Sequence, residues 1–382
     1  MSSVTIKKVE TKKDLKQFIE FHYELYKGDP YDAPNLYSDD LHTLSKDKNA
    51  AFDFCEAEYY LAYKDGKLRG RVAAIINYKA NEIWQRKVVR FGWIDFYDDI
   101  EVSTALLDAV TAYGKAKGMD ELVGPLGFTD MDPEGMLTYG FDQLGTMATS
   151  YNYAYYPEHI EKIGGFEKDN DYVENKVMIP NEVPERYAKI AAMIEKRYNL
   201  HVKKITKKDI YEGGYGVKIF ETLNESMKNL YCYSELTEKQ IKQYVDMYLP
   251  FADLSLITVL EDWNVEPHKV IGAGLTIPSL TKALQKCHKG RLWPFGWWHV
   301  LRAIKFHKTN IVDLLLVGVL PEYRRKGANA LLFSDLIPQY VKYGFEWGET
   351  HVEMETNVNV QSQWEIFETY QHKRRRCYKK NI

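Results

Sequence analysis

Apolar positions along the chain recur with two periods, and the switches between them mark the elements. Thr5 to Val9 reads as a strand, and DLKQFIEFHYELY (14–26) as an amphipathic helix. EYYLAYKDGKLRGRVAAIINY (58–78) predicts two strands around a turn at Asp65-Gly66. VVRFGWIDF (88–96) is a further strand, STALLDAVTAYGKAKG (103–118) a helix ending at glycine, and ELVGPL (121–126) a strand.

The order then repeats. SLITVLED (255–262), KVIGAGLTI (269–277) and VDLLLVGVL (312–320) are strands, and ANALLFSDLIPQYVKYG (328–344) is a helix that Pro338 should kink. HVEMETNV (351–358) and RRRCYK (374–379) complete the second set as strands. Between the sets, Pro180-Asn181-Glu182-Val183-Pro184 breaks the chain, and ERYAKIAAMIEKRY (185–198) follows with helical spacing as a connector. Two domains, 1–180 and 181–382, are expected, each of α/β (α+β) class with a mixed central sheet flanked by helices.

Bulk composition narrows the function only a little. A chain of 382 residues is long for one core. Its 45% hydrophobic and 27% charged content is ordinary for a globular protein. A net charge of -3 gives no global pull toward nucleic acid or an anionic membrane, so an anion site must be local. Cys55, Cys232, Cys287 and Cys377 are scattered, which argues against a disulfide framework or structural zinc. With no apolar leader and no run long enough to span a bilayer, a soluble cytoplasmic protein is expected. GxSxG, HExxH and full P-loop patterns are absent, and His288, His299 and His307 lack partnering carboxylates, so no metal is expected.

The informative difference lies where strand meets helix. The first half reads Phe96-Tyr97-Asp98-Asp99-Ile100-Glu101, which is acidic, and the second Glu322-Tyr323-Arg324-Arg325-Lys326-Gly327, which is basic. The first N–H groups of a helix have no intrahelical acceptor and carry partial positive charge. Small residues let those donors approach phosphate oxygens, and flanking Arg and Lys add charge-assisted bonds. Gly327 and Ala328 are the small residues here, while Arg324, Arg325 and Lys326 carry the charge. If one half binds a phosphorylated cofactor at this junction, the second is expected to be the one.

Val317-Gly318-Val319-Leu320-Pro321-Glu322-Tyr323-Arg324-Arg325-Lys326-Gly327 and the helix after it resemble the GNAT superfamily of acyl-CoA-dependent N-acyltransferases. The likeness covers roughly residues 200–382, and the first half looks like a copy lacking the phosphate loop. YNYAYYPEHIEKIGGFEKDNDYVENKVMI (151–179) resembles that copy's closing helix, Gly-Phe turn and last strand. The resemblance implies a co-substrate, acetyl-CoA or another acyl-CoA, and a small-molecule or peptide amine as acceptor. Arg324 and Gly327 fall on fixed positions of the family's (Gln/Arg)-x-x-Gly-x-(Gly/Ala) loop; Asn329 stands where Gly or Ala is usual, with Ala330 following. Backbone N–H groups around Val317 and Val319 would meet the pantetheine arm and polarise the thioester carbonyl. Asn357 and Asn359 follow the next strand, with VQSQWEIFETY (360–370) expected as a helix; Asn359 joins the cofactor-binding candidates.

For the chemistry, Glu353 and Glu355 share one strand face, so either is a candidate base, directly or through water, against the plainer reading of surface or paired carboxylates. The family's general acid is a tyrosine on the following helix; the matching positions hold Ile366 or Phe367, and Tyr370 lies one turn later. An acyl-CoA-binding protein without turnover therefore stands beside the enzyme reading. SLTKALQKCHKGRLWPFGWWHVLRAIKFHKTN (279–310) has no acidic residue and carries Trp293, Trp297 and Trp298. So long a connection is expected to pack on the first half, to cover the acceptor site, or to touch a membrane surface through residues 291–305. Lys373-Arg374-Arg375-Arg376 is expected as a solvated face, and nucleic-acid binding is not expected.

Overall fold

The computed structural model describes residues 3–147 and 149–382. Among these, the strands in chain order are β1 (Thr5–Lys8), β2 (Cys55–Lys64), β3 (Lys67–Asn77), β4 (Val88–Phe96), β5 (Glu121–Gly124), β6 (Met136–Tyr139) and β7 (Glu167–Met178). They continue as β8 (Leu200–Lys203), β9 (Ile257–Asp262), β10 (Lys269–Pro278), β11 (Ile311–Val319), β12 (Trp347–Thr350), β13 (Glu353–Met354) and β14 (Thr369–Asn381). Local chemistry explains many boundaries. The β2–β3 hairpin turns through Asp65 at φ 53° and Gly66 at φ 71°, the left-handed pair that a two-residue turn requires. The helix Lys12–Leu25 starts in a capping box, with Thr11 and Asp14 each bonding the other's backbone N–H. The helix Asn329–Tyr343 carries Pro338 in its interior and stops at left-handed Gly344.

All strands join one mixed sheet. Its order is β1-β2-β3-β4-β5-β14-β7-β12-β11-β10-β9-β8, with β6 on β14 and β13 on β7. This order is symmetric about its centre: β1 to β5 on one side answer β8 to β12 on the other. The strands β7 and β14 have changed places, so each half's last strand completes the other half's sheet. The parallel neighbours are β4 with β5 and β11 with β12, each pair joined by a helix, Ile100–Ala116 or Asn329–Tyr343. The expected mixed sheet flanked by helices is present, and it is continuous from one half to the other.

At the centre, β14 and β7 pair antiparallel from Thr369↔Val177 to Lys379↔Glu167. This ladder corrects two expectations. The region 360–370 forms only the short turns Val358–Gln361 and Ser362–Trp364, because residues from Thr369 onward are drawn into β14. HVEMETNV likewise divides, leaving β12 just before it and the two-residue β13 within it. Tertiary pairing has overridden the helical spacing.

The basic run 373–376 is not a solvated face. In a strand, alternate side chains point to opposite sides, so Lys373 and Arg375 turn inward, where each is 1% exposed. Glu174 of β7 lies between them, with Oε2 2.9 Å from Lys373 Nζ and Oε1 2.5 Å from Arg375 Nε. Lys373 also reaches Glu349 of β12 at 2.8 Å and donates to the Leu144 carbonyl at 3.1 Å. Facing outward, Arg376 holds Asp171 with bonds of 2.7 and 2.9 Å. Burial alone would raise the Glu174 carboxyl, but Arg375 and Lys373 override it and hold it down at about 2.

Replacing Glu174 by Ala leaves buried Arg375 with no carboxylate and Lys373 with Glu349 alone, and should lower unfolding free energy by about 3–5 kcal/mol in denaturant titrations. Because the folded carboxyl titrates below its ordinary 4.5, its contribution is complete above that pH and is lost as pH falls toward about 2. Wild type should therefore lose stability over that acid window, and Glu174→Ala should lose less.

Candidate active site

The parallel pair β11–β12 generates a cleft. Pairing runs from Ile311↔Trp347 to Leu314↔Thr350 and then ends, whereas on its other side β11 follows β10 up to Gly272↔Val319. One edge of β11 is thus left open beyond Leu314. The Leu320 N–H donates to Ile271 O on the β10 side. Strand alternation then directs the N–H groups of Val319 and Val317 into the opening. A cavity of about 170 Å3 occupies it, walled by Leu314, Leu316 and Val317 of β11 and by Leu332, Phe333 and Leu336 of the following helix.

At the head of the cleft stands the basic loop. Pro321–Arg324 forms one helical turn, Gly327 takes φ 81°, and the helix from Asn329 starts with no side-chain cap on its free N–H groups. A Cβ on Gly327 would sit 3.4 Å from Ile194 and 3.5 Å from Ile190, so the connector helix Glu185–Tyr198 backs the loop closely. Arg324 braces it, donating from Nε to Val319 O at 2.9 Å and from Nη2 to Ser226 O at 2.5 Å. Arg325 is exposed, and Lys326 lies over the Tyr323 ring at 4.4 Å. Ala328 and Ala330 are buried against the core, and Asn329 reaches Gln363 Oε1 at 3.4 Å, tying the helix start to the turn 362–364.

Glu353 lies on the wall of the cavity, 9% exposed. Burial pushes its carboxyl up to about 7, opposed by Trp364 Nε1, which donates to Oε1 at 2.8 Å, and by Asn175 Nδ2, which donates to Oε2 at 3.2 Å. A buried carboxylate poised near neutrality is what a general base requires. Asn175 belongs to β7, so strand exchange carries first-half chemistry to this wall.

Two further carboxylates arrive from the first half. Asp130 and Glu134, in the loop after β5, line the same cavity. Burial and then the neighbouring Asp130 push Glu134 well up; burial raises Asp130 as well, despite Arg90 beside it, and the two share a hydrogen bond. Arg90 shapes this loop, donating to Gly127 O at 3.0 Å and Phe128 O at 3.4 Å. Of the cavity's tyrosines, Tyr233 donates to Asn224 at 2.7 Å and Tyr231 to Asp169, whereas Tyr172 of β7 is nine-tenths buried or more, and burial holds its phenol protonated.

Other expected residues lie elsewhere. Glu355 is outside the cavity, paired with Arg374 and, at 3.0 Å, with Lys168. Tyr370 sits on β14 opposite Lys176, 52% exposed and bonded to Glu368, because the helix that would have carried it does not form. Asn359 is exposed and Asn357 lines the cavity in its place. The sequence signal for Asp130 and Glu134 was available: TDMDPEG (129–135) sets three carboxylates around a proline just beyond a strand end. Among the described residues, no group of three or more His, Cys, Asp or Glu could hold a metal ion, and no helix is long and apolar enough to cross a membrane.

A sheet repeated in this way, with a splayed parallel pair and a basic loop above it, is the tandem GNAT fold. A tandem GNAT protein from the clavulanic acid biosynthesis pathway matches over 99% of this chain and 98% of its own, with a TM-score of 0.55 and 9% identity. The glucosamine N-acetyltransferase region of a fungal multi-domain β-N-acetylglucosaminidase matches over 99% of this chain with the same TM-score and 14% identity; this chain spans 38% of that larger protein. In sequence, the chain is similar to Protein YghO of Escherichia coli, 25% identical over 378 residues, 97% of this chain and 94% of that one. It is also similar to a bacterial ceramide synthase of Caulobacter vibrioides, 24% identical over 327 residues, 85% of this chain and 82% of the relative. No protein-family model matches the sequence.

Trp364 and Asn175 both favour the ionised form of Glu353. Trp364→Phe or Asn175→Ala should therefore raise the Glu353 titration above about 7, read by carbon NMR of labelled glutamate; an unchanged value would show that these donors do not control it.

Proposed function

We propose that the protein is an acyl-CoA-dependent N-acyltransferase that works in the cleft between β11 and β12. One observation carries the reading: an unpaired strand edge and a buried carboxyl near neutrality line a single cavity, and the basic loop follows directly on the end of that strand. The pyrophosphate is held by the helix-start N–H groups of Ala328 and Asn329, with Arg325 and Lys326 supplying charge and buried Ala330 packing behind them, while Gly327 permits the close approach and Arg324 braces the loop. The N–H groups of Val317 and Val319 bind the pantetheine arm and polarise the thioester carbonyl. Acetyl-CoA is the simplest donor, and the apolar walls also suit longer acyl chains.

The acceptor amine enters as an ammonium, which the Asp130–Glu134 pair attracts. Glu353, directly or through water, takes its proton. The freed nitrogen lone pair attacks the thioester carbon and a C–N bond forms; the C–S bond breaks, CoA thiolate leaves with a proton from Tyr172, and the surplus proton on the new amide nitrogen passes to the Tyr172 phenolate, restoring it. All of this occurs in one ternary complex. The relative that makes ceramide directs attention to a long-chain amino alcohol as acceptor, beside other small-molecule or peptide amines. Four buried free cysteines suit a reducing cytoplasm. The two GNAT-like repeats divide near 180/181, the first lacking the phosphate loop.

Titration calorimetry with CoA tests the cofactor site. Wild type should bind, and Arg324→Glu with Lys326→Glu should weaken binding by roughly 1.5–3 kcal/mol per lost charged contact; no binding by wild type would refute the proposal. Turnover with amines including sphingoid bases should fall as pH drops below about 7, because protonated Glu353 cannot accept a proton. Glu353→Gln should slow it about a hundredfold to ten-thousandfold.

A second reading, an acyl-CoA-binding protein without turnover, draws on Tyr370 and Asn359 both lying outside the cavity. Any acyl-CoA consumption that Glu353→Gln abolishes eliminates it.

A further inference from the structure

Residues 279–310 leave the sheet between β10 and β11 and form a projection with two unlike sides. The inner side is fixed to the first half. Gln285 donates to Asp32 O at 2.7 Å, Arg291 pairs with Glu20 at 2.6 Å, and Lys289 with Glu24 at 2.6 Å. Leu280, Ala283, Leu284 and Ala303 form a small core beneath. None of the segment lines the cavity between β11 and β12. It packs as expected on the first half, and it does not cover that cavity.

The outer side has no such partner. Trp293 is 80% exposed, Phe295 76% and Phe306 56%. Trp297 and Trp298 are nearly half-exposed, and ring contacts of 5.8 and 6.4 Å link Trp297, Trp298 and Phe306 into one surface. Exposed aromatic rings in such number mark an interaction site. Around them Lys286, Arg302, Lys305 and Lys308 are exposed, and residues 279–310 contain no carboxylate to pair with them.

We propose that this face docks on an anionic lipid bilayer, with Trp293, Phe295 and Trp297 entering the headgroup region and the lysines and arginine meeting lipid phosphates. Charge selects this occupant. A second copy of the chain would bring like charges together, whereas a bilayer offers anions over a broad plane and an apolar layer at ring depth. Tryptophan favours that boundary, with an apolar body and a polar N–H. The rings stand out from the surface instead of lining the groove that a nucleic-acid strand would follow. The proposal does not depend on acyl transfer: docking would persist in a chain unable to bind CoA.

Flotation with vesicles of phosphatidylcholine and phosphatidylglycerol in equal parts tests it. Wild type should float with these vesicles and far less with phosphatidylcholine alone or at high salt. Trp293→Ser with Phe295→Ser should weaken binding about tenfold or more for each ring removed, and Arg302→Glu with Lys305→Glu should abolish the preference for anionic lipid. Tryptophan quenching by lipids brominated along their acyl chains reads insertion in wild type directly, without reliance on any variant. Failure of wild type to float, absence of quenching, or binding unchanged in both variants would overturn the proposal. So would a wild-type dimer that the ring variant dissociates, or tight RNA binding in place of lipid binding.

Discussion

One carboxylate joins the two halves. Glu174 on β7 lies between Lys373 and Arg375 on β14, and Lys373 continues to Glu349 on β12. A buried charge is costly unless it is paired, so this row constrains register across three strands at the centre of the sheet. A slip of one residue would turn Lys373 and Arg375 outward and leave Glu174 alone in the core. The cleft depends on that register, because β7 also carries Asn175 and Tyr172 to the cavity.

The halves have used the same architecture for different ends. In the first, β4 likewise runs past its parallel pairing with β5, which ends at Arg90↔Val123. There the chain's own side chains fill most of the opening, leaving a cavity of about 60 Å3. Asp95 is bound by Arg71 at 2.6 Å and by His22 at 3.1 Å, and His22 continues to Asp32 at 3.2 Å. The acidic junction is satisfied as well: Asp99 caps its helix, and Lys64 lies 2.6 Å from Asp99 and 2.9 Å from Glu101. The first half, whose own opening is filled, furnishes Asp130 and Glu134 to the cavity of the second.

Much of this was legible in residue order. Strands such as 88–96 stood out because apolar residues dominate them, and the contrast between acidic and basic junctions pointed to the second half. The errors share one physical cause. Strand exchange is a long-range event with no local signature, so Lys373-Arg374-Arg375-Arg376 looked solvated although alternate members are buried. The same pairing drew Tyr370 into a strand and away from the cavity. Glu353 and Glu355 looked equivalent from spacing alone. What separates them is that one meets Trp364 and Asn175 in the interior and the other meets Lys168 and Arg374 at the surface.

The exchange of β7 and β14 also dictates an order of events during synthesis. Strand β5 emerges early, but its neighbour β14 is made only after most of the chain has followed. Until then the first half exposes an unpaired edge, the kind of surface that recruits foreign strands. The sheet of the first half is therefore completed only by the last strand to be made. A product truncated before β14 would keep that edge of β5 open.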